Sequence, residues 1–408
     1  MELNLRSIIK KFVLETTSET RVAARNDAFW QNLRNTGTEL WLDTGDIGEA
    51  ALNWTAEMSA LTTNNTLLNL EIQKGIYDSL IARAHEVVKS LPLRQQVIEI
   101  AFILNARHGL RLTQKFGGRV SVELHTDMAH DFNAIVDYGL RYHEINPKQF
   151  IVKVPYTATG LLGARRLGML GVPVNFTLEF SARQNLLVTV LARPAYLNVF
   201  LGRLGAYIKD NELGSGNGVG ERAVLATQKW VKKMNAQYGT STKLIAASLR
   251  SAAQLESLAG TDVYTIPVKV ASIGRSTLTG NFVSRLEEDY PADLNNKATG
   301  SHVEKLWEVT ENELKLAKEL GENPPDSARE LIERVHNAGC GDMFPDLSEP
   351  DLALISTDGK IPRHERWAAR IRSGELAIDT LLNLAGLASF AQDQAKLDER
   401  IGSIVSRE

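Results

Sequence analysis

Phe150-Ile151-Val152-Lys153-Val154-Pro155 is a short run of strand-forming residues with a lysine at its centre. A strand inside a parallel sheet is apolar on both faces, and Ile and Val suit it, so the lysine needs a reason. Side chains alternate along a strand. Lys153 therefore shares a face with Ile151 and Pro155, which predicts an amine inside the fold near a carboxyl-terminal strand end. An ammonium stripped of hydration gives up its proton more readily, and the neutral amine can attack a carbonyl to form a Schiff base. An isolated strand lysine is ordinarily an edge or salt-bridged residue, so the neighbouring segments decide between the two readings.

Further short strand patterns lie at residues 40–43, 60–64, 119–124, 172–180, 196–201, 243–248 and 263–268, which with 150–155 makes eight. Helical patterns separate them: two helices split near Pro92 within residues 66–108, then 160–170, 184–191, 221–236 and 252–259. Strict alternation of strand and helix predicts an α/β fold, a closed (β/α)8 TIM barrel, with an open doubly wound sheet as the alternative. Leu5, Ile8, Ile9, Phe12 and Val13 recur at helical spacing and predict an amphipathic helix ahead of the first strand. After Val270 the grammar changes. Residues 275–345 are polar and punctuated by Gly and Pro, with helices expected around Val303–Leu320, Ser327–Ala338 and residues 375–402. The expected organisation is an N-terminal helical segment (1–38), a barrel domain (39–274), and a helical insertion with a C-terminal helix packed on the barrel (275–408).

The 408-residue chain has the composition of a globular protein and a formal net charge of -3, with no bias toward nucleic acid or anionic membrane. Its one cysteine, Cys340, excludes an internal disulfide and leaves no second thiol for a metal cluster or redox pair, which fits a cytoplasmic location. The stretch from Met1 to Arg6 lacks the apolar core of a signal peptide. The most apolar stretch, Asn185 to Leu201, is interrupted by Arg193 and Pro194 and falls short of the roughly 20 residues of a membrane span.

In such a barrel the chemistry gathers at the carboxyl-terminal strand ends. These ends carry Asp43, Asn64, Glu123, Lys153, Asn175 with Thr177, Arg203, and Ser248 with Arg250. Singly, each has an ordinary explanation as a cap, a turn or a surface charge. Together they combine a nucleophile, two acid/base carboxylates and a cationic pocket whose forked donors suit a phosphate monoester. No metal or redox cofactor is required, and neither Gly117-Gly118 nor Gly214-Ser215-Gly216 makes a dinucleotide-binding turn.

These segments resemble the transaldolase family of Schiff-base aldolases, in the family's order. Leu42-Asp43-Thr44-Gly45-Asp46 is similar to the first-strand motif, Leu61-Thr62-Thr63-Asn64 to the second, Gly118 to Glu123 to the third and Ile151 to Pro155 to the fourth. Asn175 to Ser181, Phe200-Leu201-Gly202-Arg203 and Ala247-Ser248-Leu249-Arg250 resemble the remaining site motifs, and Gly386 to Gln394 resembles the family's C-terminal helix. The resemblance implies Lys153 as Schiff-base lysine, Asp43 for proton transfer, and Glu123 with Thr177 on a catalytic water. It further implies substrate contacts from Asn64, Asn175 and Phe200, and a phosphate held by Arg203, Ser248 and Arg250. The implied reaction is transfer of a dihydroxyacetone unit between sugar phosphates, such as sedoheptulose 7-phosphate or fructose 6-phosphate and an aldose phosphate, in the pentose phosphate pathway. No cofactor is implied, the partners are the sugar phosphates, and a monomer or homodimer is expected. Related fructose-6-phosphate aldolases usually carry glutamine and tyrosine where this chain has Glu123 and Phe200, which favours transfer over release of free dihydroxyacetone. That aldolase activity, or a non-catalytic sugar-phosphate-binding barrel, is the alternative. The chain departs from the family at Asn65, where proline is common, at Asn198, where serine is common, and in the long segment 275–375.

Overall fold

A computed structural model describes residues 3–15 and 19–406; Met1 and Glu2, part of the amino-terminal stretch read above, lie outside them. Eight parallel strands close into a barrel: β1 (Glu39–Asp43), β2 (Met58–Thr62), β3 (Arg119–Glu123), β4 (Phe150–Pro155), β5 (Val174–Thr177), β6 (Tyr196–Phe200), β7 (Lys243–Ala247) and β8 (Val263–Pro267). β1 pairs with both β2 and β8, so there is no sheet edge and the open-sheet alternative falls.

The period-two pattern of the strands divides their side chains. Leu42, Val122, Val152 and Val154 belong to the large apolar layer between strands and helices. Trp41, Ala60, Ile151, Ile245 and Val263 form a separate packed cluster, the barrel interior. The floor below that cluster is polar but closed. Glu39 accepts from the Trp41 indole (2.8 Å) and Ser59, and pairs with Arg119 and Lys243. Although burial works to raise it, these partners hold the Glu39 carboxyl below the usual range.

Several boundaries differ from the sequence reading. Residues 66–108 fall in three helices, Asn65–Gln73, Asp78–Val88 and Leu93–Phe116, because Gly75 takes a left-handed φ of 76° and breaks the first from the second. The third continues to Phe116. The pattern at 172–180 yields only Val174–Thr177, since Leu178 turns to φ 74°. The pattern at 184–191 is an α-helix, Ala182–Leu187, that widens into a π-helical turn, Val188–Ala192, before Arg193 at φ 51°. Helices Phe132–Ile145, Leu201–Asp210, Val268–Thr277, Glu349–Asp358 and His364–Arg372 carry no separate signal in that reading.

The segment after Thr277 adds Glu311–Glu322, Ala328–Asn337 and the 28-residue helix Ile378–Val405. This last helix crosses the carboxyl-terminal mouth of the barrel. Asn383 Nδ2 donates to the carbonyls of Tyr156 (3.1 Å) and Leu178 (2.9 Å), past the ends of β4 and β5. Further along, Asp393 accepts from Thr66 (2.5 Å) after β2, and Asp398 meets His125 (3.2 Å) after β3. Its attachment is reinforced by Arg183, which is fully buried and donates to both oxygens of Asp379 (2.8 Å each), to Asp342 (2.9 Å) and to Glu313 (3.2 Å). No helix among the described residues is long and apolar enough to cross a membrane.

Candidate active site

Along several strands the inward face changes from apolar at the base to polar at the mouth. Trp41 is followed by Asp43, and Ile151 by Lys153, each two residues on. In register, Glu123 sits opposite Lys153, and Lys153 opposite Asn175. The alternation that buries the barrel core therefore also delivers the reactive groups to one end.

A cavity of about 320 Å³ opens at this end, lined by Asp43, Asn64, Lys153, Phe200, Arg203, Ser248 and Arg250 among others. Lys153 is 4% exposed. Its Nζ has one hydrogen bond, to the Thr63 carbonyl at 3.4 Å, and lies 6.0 Å from the Phe390 ring centroid; no carboxylate among the described residues pairs with it. Desolvation raises the Asp43 carboxyl above its ordinary value, with the charges of Lys153 and Arg250 opposing.

Asn64 caps the helix Asn65–Gln73, its side-chain oxygen accepting from Leu67 N at 2.8 Å, so the ordinary role and a place on the cavity wall coexist. Ser248, one residue beyond β7, has φ 64°, a left-handed conformation that strains a non-glycine residue and is kept where surrounding structure enforces it. The enforcing neighbour is the start of the helix Leu201–Asp210. A Cβ on Gly202 would stand 2.1 Å from the Ser248 carbonyl oxygen and 2.6 Å from Arg250 Cγ, so only glycine lets the two cationic loops meet. Arg203 is stacked 5.4 Å from the Phe200 ring and 5.7 Å from that of Phe390. Burial and then the charge of Arg250 pull its pKa down to about 10, with Asp393 and Glu123 opposing.

Three expected residues lie off this cavity wall. Glu123 is 3% exposed and lines a neighbouring 250 Å³ cavity that shares Phe390 with the first. Its Oε2 accepts from the Asn65 N–H at 3.0 Å; burial nevertheless raises its pKa, with Lys153, Asn65 and Arg203 acting against that rise. Asn175 is held from both ends: its Nδ2 donates to Ser121 Oγ (3.0 Å), and its Oδ1 accepts from Asn198 (2.7 Å). Thr177 is wholly buried and its hydroxyl has no hydrogen-bond partner among the described residues. An orphaned buried hydroxyl on β5, the strand that pairs with the lysine strand β4, is a place for an ordered water.

Sequence reasoning missed Lys360, Thr66 and Thr265 on the cavity wall, and gave Phe390, within the Gly386 to Gln394 segment, no place there. Thr265 follows Val263 on the inner face of β8 and was legible by alternation; Lys360 reaches the site only through tertiary structure.

The family model for transaldolase/fructose-6-phosphate aldolase matches residues 40–320, which takes in the eight strands but for Glu39. A probable transaldolase of Dictyostelium discoideum is 26% identical over 281 residues, covering 66% of this chain and 87% of that protein. A transaldolase of Xanthomonas oryzae pv. oryzae is 29% identical over 218 residues, 50% of this chain and 66% of the relative's length. One from Synechocystis sp. is 26% identical over 279 residues, 65% of this chain and 67% of that protein. With the barrel closed and this match extending over most of the chain, the protein belongs to the transaldolase/fructose-6-phosphate aldolase family.

Proposed function

We propose that the protein is a transaldolase that moves a dihydroxyacetone unit from a ketose phosphate to an aldose phosphate through a Schiff base on Lys153. The observation that carries this reading is a buried lysine with no carboxylate among the described residues paired to it, on the wall of a cavity that also holds Asp43 and two arginines. Lys153 Nζ attacks the keto carbon, and the carbinolamine loses water to give an iminium ion. Glu123 and Thr177 serve this step through a water: the raised pKa of the one and the unpartnered hydroxyl of the other support that role.

Asp43 then takes the proton of the C4 hydroxyl as the bond between C3 and C4 breaks and the aldose phosphate leaves. The three-carbon enamine stays on Lys153, with Asn64 and Asn175 assigned to its hydroxyls. Because the Asn175 amide is already shared between Ser121 and Asn198, its contact uses the remaining amide hydrogen. Arg203, Ser248 and Arg250 hold the phosphate of the donor and then of the acceptor. The enamine carbon attacks the acceptor aldehyde, Asp43 returns its proton to the new alkoxide, and hydrolysis frees the lysine. A place in the pentose phosphate pathway, in a reducing cytoplasm, follows from this reaction.

The test is an assay of fructose 6-phosphate with and without erythrose 4-phosphate. Transfer gives sedoheptulose 7-phosphate that depends on the acceptor, with little free dihydroxyacetone when it is left out. Acceptor-independent release of dihydroxyacetone would replace this reading by an aldolase, and binding without turnover would replace it by a sugar-phosphate sensor.

A further inference from the structure

We infer that Lys360, from the connection between the helices Glu349–Asp358 and His364–Arg372, is a third cation of the anion site built by Arg203 and Arg250, and binds the dianionic phosphate of the sugar substrate. This rests on the reading of the cavity as a sugar-phosphate site, and it gives part of the long segment 275–375 a task there.

Lys360 lines the same cavity as Arg203, Ser248 and Arg250. The cations in that cavity are poorly matched by protein. Arg203 is 5% exposed, yet its Nη1 has no hydrogen-bond partner among the described residues. The Arg250 guanidinium has no acceptor among the described residues. The carboxylate nearest Lys360 is Asp393, 4.0 Å from Nζ, and that carboxylate also accepts from Thr66 (2.5 Å) and pairs with Lys396 (3.3 Å). Burial and the charges of Arg203 and Arg250 draw the Lys360 pKa down against the pull of Asp393, as expected of cations gathered with too few anions.

The same protein treats a buried cation differently where no ligand is involved. Arg183 is surrounded by Asp379, Asp342 and Glu313, all within hydrogen-bonding distance. A cluster left short of acceptors beside a cavity is matched by a ligand that brings two negative charges and several acceptor oxygens, which describes a phosphate monoester. The arginines supply fixed forks. Lys360, half exposed at its side chain, supplies a movable point charge that can follow the phosphate of either a long donor or a short acceptor.

The experiment compares wild type, Lys360→Met and Lys360→Arg by calorimetric titration with inorganic phosphate at low and moderate salt, and by KM and kcat for fructose 6-phosphate. The Met variant should bind phosphate about five- to ten-fold more weakly, with a shallower salt dependence, and raise KM by a similar factor while kcat changes far less. The Arg variant should restore most of both. Unchanged phosphate affinity and KM in Lys360→Met, with its melting temperature intact, overturns the inference. A wild type that binds phosphate in this Lys360-dependent way but transfers no three-carbon unit sinks the proposed reaction and leaves the anion role standing; a wild type that binds no phosphate sinks both.

Discussion

The backbone N–H of Asn65 donates to Glu123 Oε2 at 3.0 Å, joining the first residue of the helix after β2 to the buried carboxylate at the end of β3. Family members with proline at this position have no N–H to give. Asn65 is the first residue of its helix and Asn64 before it is extended (φ -154°, ψ 172°), so proline fits the backbone here without strain. Asn65→Pro should therefore remove one hydrogen bond from the charged form of Glu123 and little else of the backbone. A bond to a charged group contributes about 1.5–3 kcal/mol, or roughly one to two pH units. The acidic limb of log(kcat/KM) against pH should move up by that amount. Asn65→Ala keeps the N–H, loses only the side-chain bond to the Leu124 carbonyl, and should leave the limb in place. Equal profiles for the two variants would contradict the role given to Glu123.

Phe200 closes β6 on the wall shared with Lys153 and has no group to hold a water. Phe200→Tyr places a hydroxyl there. The enamine should then be protonated and hydrolysed more often, seen as an increase in free dihydroxyacetone relative to transferred product. An unchanged ratio would mean that water is excluded by something other than this ring.

Gly202 is fixed by contact, since its added Cβ would meet the carbonyl of Ser248 and the stem of Arg250. Gly202→Ala should push the two cationic loops apart. KM for sugar phosphates should rise about ten-fold or more, and overpacking should cost about 1–3 kcal/mol of stability by urea titration. A normal KM would show that the loops adjust independently.

Arg183 and Asp379 tie the C-terminal helix to the barrel. Burial works to raise the Asp379 carboxyl, but Arg183 and Ser181 hold it below its ordinary value. A carboxyl lowered by folding contributes stability above its unfolded pKa of about 4 and loses it as pH falls through the folded value. Arg183→Met leaves buried carboxylates without their cation and should cost about 3–5 kcal/mol at pH 7. It should also reverse the slope: the variant loses stability as pH rises from 4 to 7, where the wild type does not. Parallel pH curves would indicate that the carboxylates find other partners, Lys305 beside Asp342 being the nearest at 2.7 Å.

The barrel was legible because strand alternation writes itself into sequence. Ile151 and Lys153, or Trp41 and Asp43, two apart on one face, reveal both the core and the reactive rim. Ser248, one residue past β7, and Arg203, in the first turn of the helix after β6, could be placed at the mouth because each directly follows a strand pattern. What depends on distant contacts was not legible. Nothing near Lys360 in sequence points to the cavity, and Arg183 gives no sign of Asp342 or Asp379, more than 150 positions away. Nor does local sequence show that Asn198 occupies one end of Asn175, or that the Phe390 ring lies within 6.0 Å of both the Lys153 and the Arg203 cation. The helix break at Gly75 and the strand end at Leu178 hinge on single left-handed residues, and only the glycine advertises one.

The central claim concerns the nitrogen of Lys153. Incubation with fructose 6-phosphate and sodium borohydride, followed by peptide mapping, should find a reduced three-carbon adduct on Lys153 and should abolish transfer in proportion to labelling. Full activity with no adduct at that residue, or an adduct carried by a different lysine, would contradict the account.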